Sequence, residues 1–368
     1  MIAAGHDSVG IAREFDLAGR AVSAKPYGSG HINDTFLIET TPVAGPSRFI
    51  LQRINHDVFR RPDDLMDNVA RVCAHAHAKL IQAGAPDADR RTLRLVLTTA
   101  GRNWHIDAAG NRWRCYHFVS DATGHDIVRS PKQAYAAAKA FGAFQALLAD
   151  LPGSRLHETI PDFHHTPSRF ARFQLALAQD SQGRAAASVP EIAFALARGH
   201  EVSLLVDGLR DGSIPERVTH NDSKLNNVLL DDLSQEGVCV IDLDTVMPGS
   251  SLYDFGDLVR TSTSPAAEDE TDLSKVRMQL PMFEALVQGY LASAGDFLTP
   301  REKQLLPFAG KLITFEIGLR FLTDWLEGDK YFKIRRPSHN LDRARTQFKL
   351  VESIEAQLPA MQASVERS

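Results

Sequence analysis

The rhythm of polar and apolar positions changes near residue 120. Before it, short apolar runs are separated by polar or glycine-bearing breaks, near 21–27, 34–40 and 48–54 and again near 93–99, 103–107 and 113–119. Runs of this length bounded by turn residues read as strands. A short amphipathic segment, Val9 to Leu17, precedes them, and one helix, about 63–83, separates the two groups. An antiparallel sheet with a packed helix is therefore expected over 1–119. Beyond 120 the spacing is helical. Ser130-Pro131 supplies an N-cap and a first-turn proline for an alanine-rich helix to about Asp150. Further helices are expected near 167–180, 189–211, 274–294, 300–327 and 338–358, and Thr299-Pro300-Arg301-Glu302 has the form of a capping box. The acidic stretch Ser262–Thr271 reads as a loop. The fold class predicted is α+β and bilobal, with an antiparallel-sheet lobe over 1–119 and a mostly helical lobe over 120–368.

Val218 to Asp244 interrupts the helical part. Two apolar runs, Asn227 to Asp231 and Val238 to Asp242, flank a polar, glycine-containing stretch and predict an antiparallel hairpin. The start of its first strand then lies beside the end of its second, so Asn227 and Asp242 meet at the open end. Two oxygen donors of this kind suit Mg²⁺. Asp222, five residues before Asn227, faces the same point from a loop. A carboxylate beside such a site orients a substrate hydroxyl for attack on a γ-phosphate.

His220-x-Asp222-x-x-x-x-Asn227, followed by an aspartate at a strand end, resembles the catalytic loop and metal-binding aspartate of the protein-kinase-like fold. Ile241-Asp242-Leu243-Asp244 is similar to the second motif of the aminoglycoside phosphotransferase superfamily. Within it, the runs GSGHINDTF (28–36), FILQRIN (49–55), HNDSKLNNVL (220–229), IDLDTVMPG (241–249), GLRFLTDWLEGDKYFK (318–333) and HNLDRARTQF (339–348) most resemble the N-acetylhexosamine 1-kinases. The resemblance implies ATP and Mg²⁺ as cofactors and phosphorylation of the anomeric C1 hydroxyl of an N-acetylated glucosamine or galactosamine. It makes Asp222 the base and Asn227 and Asp242 the metal ligands. Asp244 would support the metal or bind sugar, and Arg260, after Asp254 and Asp257, would anchor the loop.

Other positions follow from the same plan. Gly28, Ser29 and Gly30 form a turn whose backbone N–H groups would cover the nucleotide phosphates. The strand Arg48–Arg53 ends in Gln52 and Arg53 where kinases carry lysine; alternation lets only one face the nucleotide, and Arg53 is favoured because phosphate needs charge. Asp64 or Asp67 on the next helix would pair with it. Phe118, Val119 and Ser120, where the aromatic strand 113–119 leaves the sheet, would hold adenine through their backbone. Arg320 and Asp324, at i,i+4 on one helix face, would build a polar sugar pocket with Tyr331, and His31 and Asn33 would reach the substrate from the glycine turn. Choline, homoserine or an aminoglycoside is the alternative acceptor, and a non-catalytic ATP binder the alternative class, since the usual lysine is missing.

Composition narrows the rest. The chain has 368 residues, 43% hydrophobic and 24% charged, with a net charge of −5 that offers no basic face to nucleic acid. No segment has the length and apolarity of a membrane span, and the first ten residues lack the pattern of a signal peptide. The three cysteines stand far apart in apolar surroundings and read as reduced core residues. A cytoplasmic enzyme with a small-molecule substrate is expected.

Overall fold

The computed structural model describes residues 6–28, 30, 32–41 and 47–368. A short helix, α1 (Ser8–Ala12), leads into the strands β1 (Ala21–Pro26), β2 (Asp34–Thr40) and β3 (Arg48–Arg53). Helix α2 (Pro62–Gln82) and the single turn α3 (Ala88–Arg91) come next, then β4 (Leu95–Val96), β5 (His105–Ile106) and β6 (Arg112–His117). These strands form one antiparallel sheet in the order β1-β2-β3-β6-β4, with β5 also on β6. Alternation divides its faces. Ile38, Phe49, Leu51, Trp113 and Cys115 close one face with Ala12 and Phe15. Ile50 and Tyr116 point the other way, into a second core that α2 shares with the helices beyond residue 120.

The remainder is mostly helical. It comprises β7 (Ala122–Gly124), α4 (Pro131–Leu148), α5 (Thr166–Gln179), α6 (Val189–Ala197), α7 (Leu204–Asp211), β8 (Arg217–Thr219), β9 (Val228–Asp231), β10 (Gly237–Val240), β11 (Met247–Gly249) and α8 (Ser251–Ser262). Four more helices complete it, α9 (Leu280–Ala294), α10 (Pro300–Glu327), α11 (His339–Glu355) and α12 (Leu358–Glu366). The α+β, two-lobed architecture expected from the sequence is the one observed. Ser130 caps α4 by accepting from the Gln133 N–H, and both bonds of the Thr299–Glu302 capping box are made.

Some helix limits differ, for local reasons. The helix expected over 189–211 breaks at Gly199, where a β-carbon would lie 2.5 Å from the Phe170 ring. The one expected from 274 begins at Leu280-Pro281, proline being tolerated only in a first turn. The last expected helix ends at Glu355, and Pro359 starts α12 instead. The acidic 262–271 loop is tied down: Glu268 pairs with Arg260 at 3.0 Å, and Asp269 with Arg336 and His339 at 3.0 and 2.9 Å. Among the described residues no helix is long and apolar enough to cross a membrane, and all three cysteines are free and buried.

The closest helix contact supports the functional hairpin. A β-carbon at Gly289 of α9 would sit 2.2 Å from the Tyr135 carbonyl of α4, and one at Gly142 of α4 would sit 2.8 Å from the Tyr290 carbonyl. Backbone meets backbone on both sides, which only glycine allows. Gly289→Ala should therefore destabilise the chain by about 1–3 kcal/mol through forced separation of the two helices. Urea unfolding measures it; a loss below about 0.5 kcal/mol would mean that the contact yields freely.

Candidate active site

The predicted hairpin exists. Strand β9 pairs with β10 with Val228 opposite Val240, and one step on the Ile241 N–H donates to the Asn227 carbonyl at 2.9 Å. Asn227 and Asp242 thus flank the open end. The loop before them hangs from Asp254, a fully buried carboxylate in the first turn of α8. Its two oxygens accept the backbone N–H groups of His220 and Asn221 at 2.9 and 2.6 Å. Gln145 of α4 also donates to it, and in turn accepts the Tyr290 hydroxyl at 2.5 Å. Asn221 takes a left-handed φ of 65°, held by bonds from its side-chain amide to the Thr219 and Thr245 carbonyls. Buried His220 ties the loop to the hairpin through Nε2 and the Ile241 carbonyl, 2.9 Å apart, and lies edge-on to Phe141 and Phe144.

Asp222 emerges from this frame half-buried. Asn227 donates its Nδ2 to the Asp222 carbonyl at 2.8 Å and to Oδ2 at 3.0 Å, and Lys224 Nζ lies 3.0 Å from Oδ2. Burial works against its charge, but Lys224, His220 and these bonds outweigh it and hold the carboxyl below the usual carboxylate range. Asp222 is a permanent anion with a cation at hand. Asp257 lies close enough for the two charges to repel, and pairs with Arg260 at 2.7 Å. Arg260, expected to anchor the loop, instead serves Asp257, and it is Asp254 that bonds the loop backbone.

The donor set suits a divalent cation. Because Asn227 commits its Nδ2 to Asp222, its Oδ1 is left as an oxygen donor, and no described residue donates to it or to the Asp242 carboxylate. Asp242 is exposed to the cleft yet walled by protein, and takes a left-handed φ of 61°. Desolvation, with repulsion from Asp244 and Asp222, raises its pKa to about 6. A cation would relieve that crowding. Among the described residues no group of three or more His, Cys, Asp or Glu is placed to hold a metal alone. Two oxygen donors with room for phosphate oxygens and water suit Mg²⁺, which keeps several waters.

Asp244, expected at the metal or the sugar, is instead the joint between the lobes. It is buried, and Arg114 Nη1 of β6 lies 2.5 Å from Oδ1 while Asn33 Nδ2, at the end of the glycine turn, donates to Oδ2 at 2.6 Å. Both carboxylate oxygens face protein partners, and the side chain is only 3% exposed. Asn33 is spent on the same joint, since its Oδ1 accepts the Asn55 N–H at 2.9 Å. Arg53 lies on the far face of the sheet, opposite Trp113, and pairs with Asp34 at 2.6 Å. Gln52 is the residue that faces the helical lobe, and it accepts Arg114 Nε at 3.0 Å. The cation on this face therefore comes from β6. Asp64 and Asp67 reach neither arginine; they pair with Arg61, Arg71 and His157.

The glycine turn joins β1 to β2. Gly28 has φ +82°, and a β-carbon at Gly28 or Gly30 would meet nothing within 4 Å, so both edges are open to a ligand. Ser29 and His31 lie outside the described residues. Tyr27 packs edge-on to Phe118 at 5.9 Å. Beyond it the Ser120 carbonyl is taken by Arg90 at 3.0 Å. Val119 keeps a backbone N–H and C=O that bond to no described residue, as hinge recognition of adenine requires.

A second recess opens past the loop. His164 bonds the Asn221 carbonyl through Nε2 and Glu316 of α10 through Nδ1, each at 2.9 Å. Burial opposes a charge on His164, but Glu316 raises its pKa and is itself lowered by the imidazole. One helical turn beyond Glu316, Arg320 lines a small open recess together with Tyr331. Asp324 borders it but is committed: its oxygens accept the N–H groups of Lys330, Tyr331 and Phe332 and the Asn340 amide, all at 2.8–2.9 Å. It shapes the turn that places Tyr331, and is not available to a sugar.

Two outcomes follow. Arg114→Leu strands a buried carboxylate and should cost about 3–5 kcal/mol in urea unfolding, most of it recovered when Asp244→Leu is added; a single variant as stable as the parent would dismiss the joint. Because Asp242 titrates near about 6, Mg²⁺ affinity should be flat above neutrality and fall on acidification below that value. Calorimetric titration across that range tests this, and a pH-independent affinity would remove Asp242 as ligand.

Three solved structures share the fold over nearly the whole chain. A microcompartment-associated aminopropanol kinase matches with a TM-score of 0.61 at 17% identity, over 96% of this chain and 98% of that one. An aminoglycoside phosphotransferase from Alicyclobacillus acidocaldarius matches at 0.61 and 15%, over 98% and 96%. Choline kinase from Cryptosporidium parvum matches at 0.53 and 14%, over 96% of each chain. A model of the phosphotransferase enzyme family, APH, matches residues 23–301. With its Asp222–Asn227–Asp242 constellation and that match across most of its length, the chain belongs to the APH phosphotransferase family.

Proposed function

We propose that this phosphotransferase moves the γ-phosphoryl group of ATP to the anomeric C1 hydroxyl of an N-acetylhexosamine. The observation that carries the chemistry is the half-buried Asp222 carboxylate, fixed by Asn227 and Lys224 beside the open Asp242. Asp222 orients the hydroxyl and takes its proton as the phosphoryl group leaves ATP. Lys224 keeps that carboxylate ionised and stands where charge builds on the transferred group. Mg²⁺, held by Asn227 and Asp242, would neutralise the β- and γ-phosphates. The transition state is loose, so position and charge matter more than base strength. Gly28 and Gly30 would cover the phosphates, and Val119 would meet the adenine edge.

The acceptor is argued from the cleft around Arg320. Choline, aminopropanol and aminoglycosides carry cationic nitrogen and call for a free carboxylate. Here Asp324 is bound to three backbone N–H groups, and Glu327 accepts Arg172 at 2.9 and 2.6 Å. What remains is a guanidinium and the exposed aromatic Tyr331, groups that take hydroxyl, amide and ring faces.

Coupled ADP release with Mg²⁺·ATP is the test, run on N-acetylglucosamine, N-acetylgalactosamine, choline, homoserine and kanamycin. Turnover on an N-acetylhexosamine, with the product phosphate on C1 by NMR, is the expected result; turnover on an amino alcohol alone overturns the acceptor. Asp222→Asn should lower kcat by about 10²–10⁴-fold. ATP affinity should hold within about threefold in that variant, since Asp222 does not bind the nucleotide.

A further inference from the structure

The cleft past the catalytic loop carries more positive charge than a neutral sugar needs. Arg169, Arg172 and Arg320 line it against two carboxylates, Asp324 and Glu327, both already committed. Arg172 is satisfied by Glu327. The other two are not. Arg320 is half-buried and makes no hydrogen bond or ion pair with any described residue; its guanidinium lies 5.8, 5.8 and 5.5 Å from the ring centres of Phe163, Tyr331 and Phe332. Rings attract the charge but cannot satisfy in-plane N–H groups. Arg169 donates to the backbone carbonyls of Asp162 and Phe163 at 3.0 and 3.1 Å, and its Nε is buried without a partner. Burial and the nearby Arg320 charge pull its pKa down, against the weaker attraction of Glu316.

A buried N–H without an acceptor is costly and favours any ligand that supplies one. The uncommitted Arg320 guanidinium, with Arg169 lining the same aromatic-walled cleft, is a ready site for a planar or tetrahedral oxyanion. The cleft is coupled to the chemistry, because Arg320 stands one turn of α10 from Glu316, which holds His164 against the backbone of Asn221 beside Asp222.

We propose that the acceptor carries an anionic oxygen group, carboxylate or phosphate, at the end remote from the phosphorylated hydroxyl, and that Arg169 and Arg320 bind it. This rests on reading the cleft as the acceptor site, and it narrows the sugar to an acidic or phosphorylated N-acetylhexosamine.

The experiment is calorimetric titration of the full chain, at low and at physiological salt, with four ligands on one ring: N-acetylglucosamine, its 6-phosphate, its 6-carboxylate and cationic glucosamine. At least one anionic sugar should bind about tenfold or more tightly than N-acetylglucosamine, as one added charge-assisted hydrogen bond gives. Arg320→Gln and Arg169→Gln should each shrink that ratio toward one, and salt should weaken the anionic ligand selectively. The better of the phosphate and the carboxylate identifies the group. Equal or tighter binding of N-acetylglucosamine or glucosamine overturns the proposal, and so does silence from every anionic sugar. ADP release with the same four sugars reports separately on the kinase reading. An anionic sugar that binds through Arg320 without turnover keeps the oxyanion site and dismisses C1 phosphorylation, whereas turnover of N-acetylglucosamine without anion preference does the reverse.

Discussion

The arrangement rests on one buried ion pair. Arg114 and Asp244 are almost without solvent, come from different lobes, and lie 2.5 Å apart. Either charge alone would be costly in that position, so the two are kept or lost together. Asp244 stands two residues after Asp242, so whatever fixes the one limits the other. Asn33 extends the joint to the glycine turn, so that turn, the sheet and the segment carrying Asp242 meet at one carboxylate. A kinase of the familiar pattern draws its strand cation to an acid on a helix. Here the acid comes from the second motif itself, and the cation from the neighbouring strand.

Behind that joint a second set of buried polar groups aims the catalytic loop. Asp254 accepts two consecutive backbone N–H groups, Gln145 donates to Asp254 and is itself held by the Tyr290 hydroxyl, and the glycine contact of α4 with α9 brings Gln145 and Tyr290 together. The left-handed turn at Asn221 is held from both sides, by this brace on its backbone N–H and by its own side-chain amide on the Thr219 and Thr245 carbonyls. Packing of small residues far from the chemistry thus decides where the Asp222 carboxylate stands.

What could be read from the sequence was what is local. The hairpin, the Asp222–Asn227 spacing, the Ser130 and Thr299 caps and the long α10 all follow from residues within one turn or one hairpin of each other. The misreadings share one cause. Alternation correctly required Gln52 and Arg53 to face opposite ways, but which way depended on α1 and Trp113, known only once the sheet was assembled. Asp244 and Asp324 were sensible sugar ligands by residue type, yet the fold spends both on backbone and cross-lobe partners. Arg114 did leave a trace: a lone cation between Trp113 and Cys115 in an apolar strand has to find a buried anion. Asp254 and His164 left none, since their partners stand 33 to 152 positions away.

Helix α10 is 28 residues long, about 42 Å at 1.5 Å per residue. Its first turn holds Arg217 of β8 through Glu302, its middle steadies the catalytic loop through Glu316 and His164, and its last turns present Arg320 and the Asp324-built corner. It acts as a ruler laid through the lobe, graduated in turns. The Asp222 loop is pinned at one mark and the Arg320 cleft at the next, and the pitch fixes the spacing between them. Substitutions at the outer marks can therefore reshape the cleft without touching the inner ones, whereas a single inserted residue between Glu316 and Arg320 would swing the cleft by about 100° relative to the loop. Divergence along such a helix is free in side chains and forbidden in length.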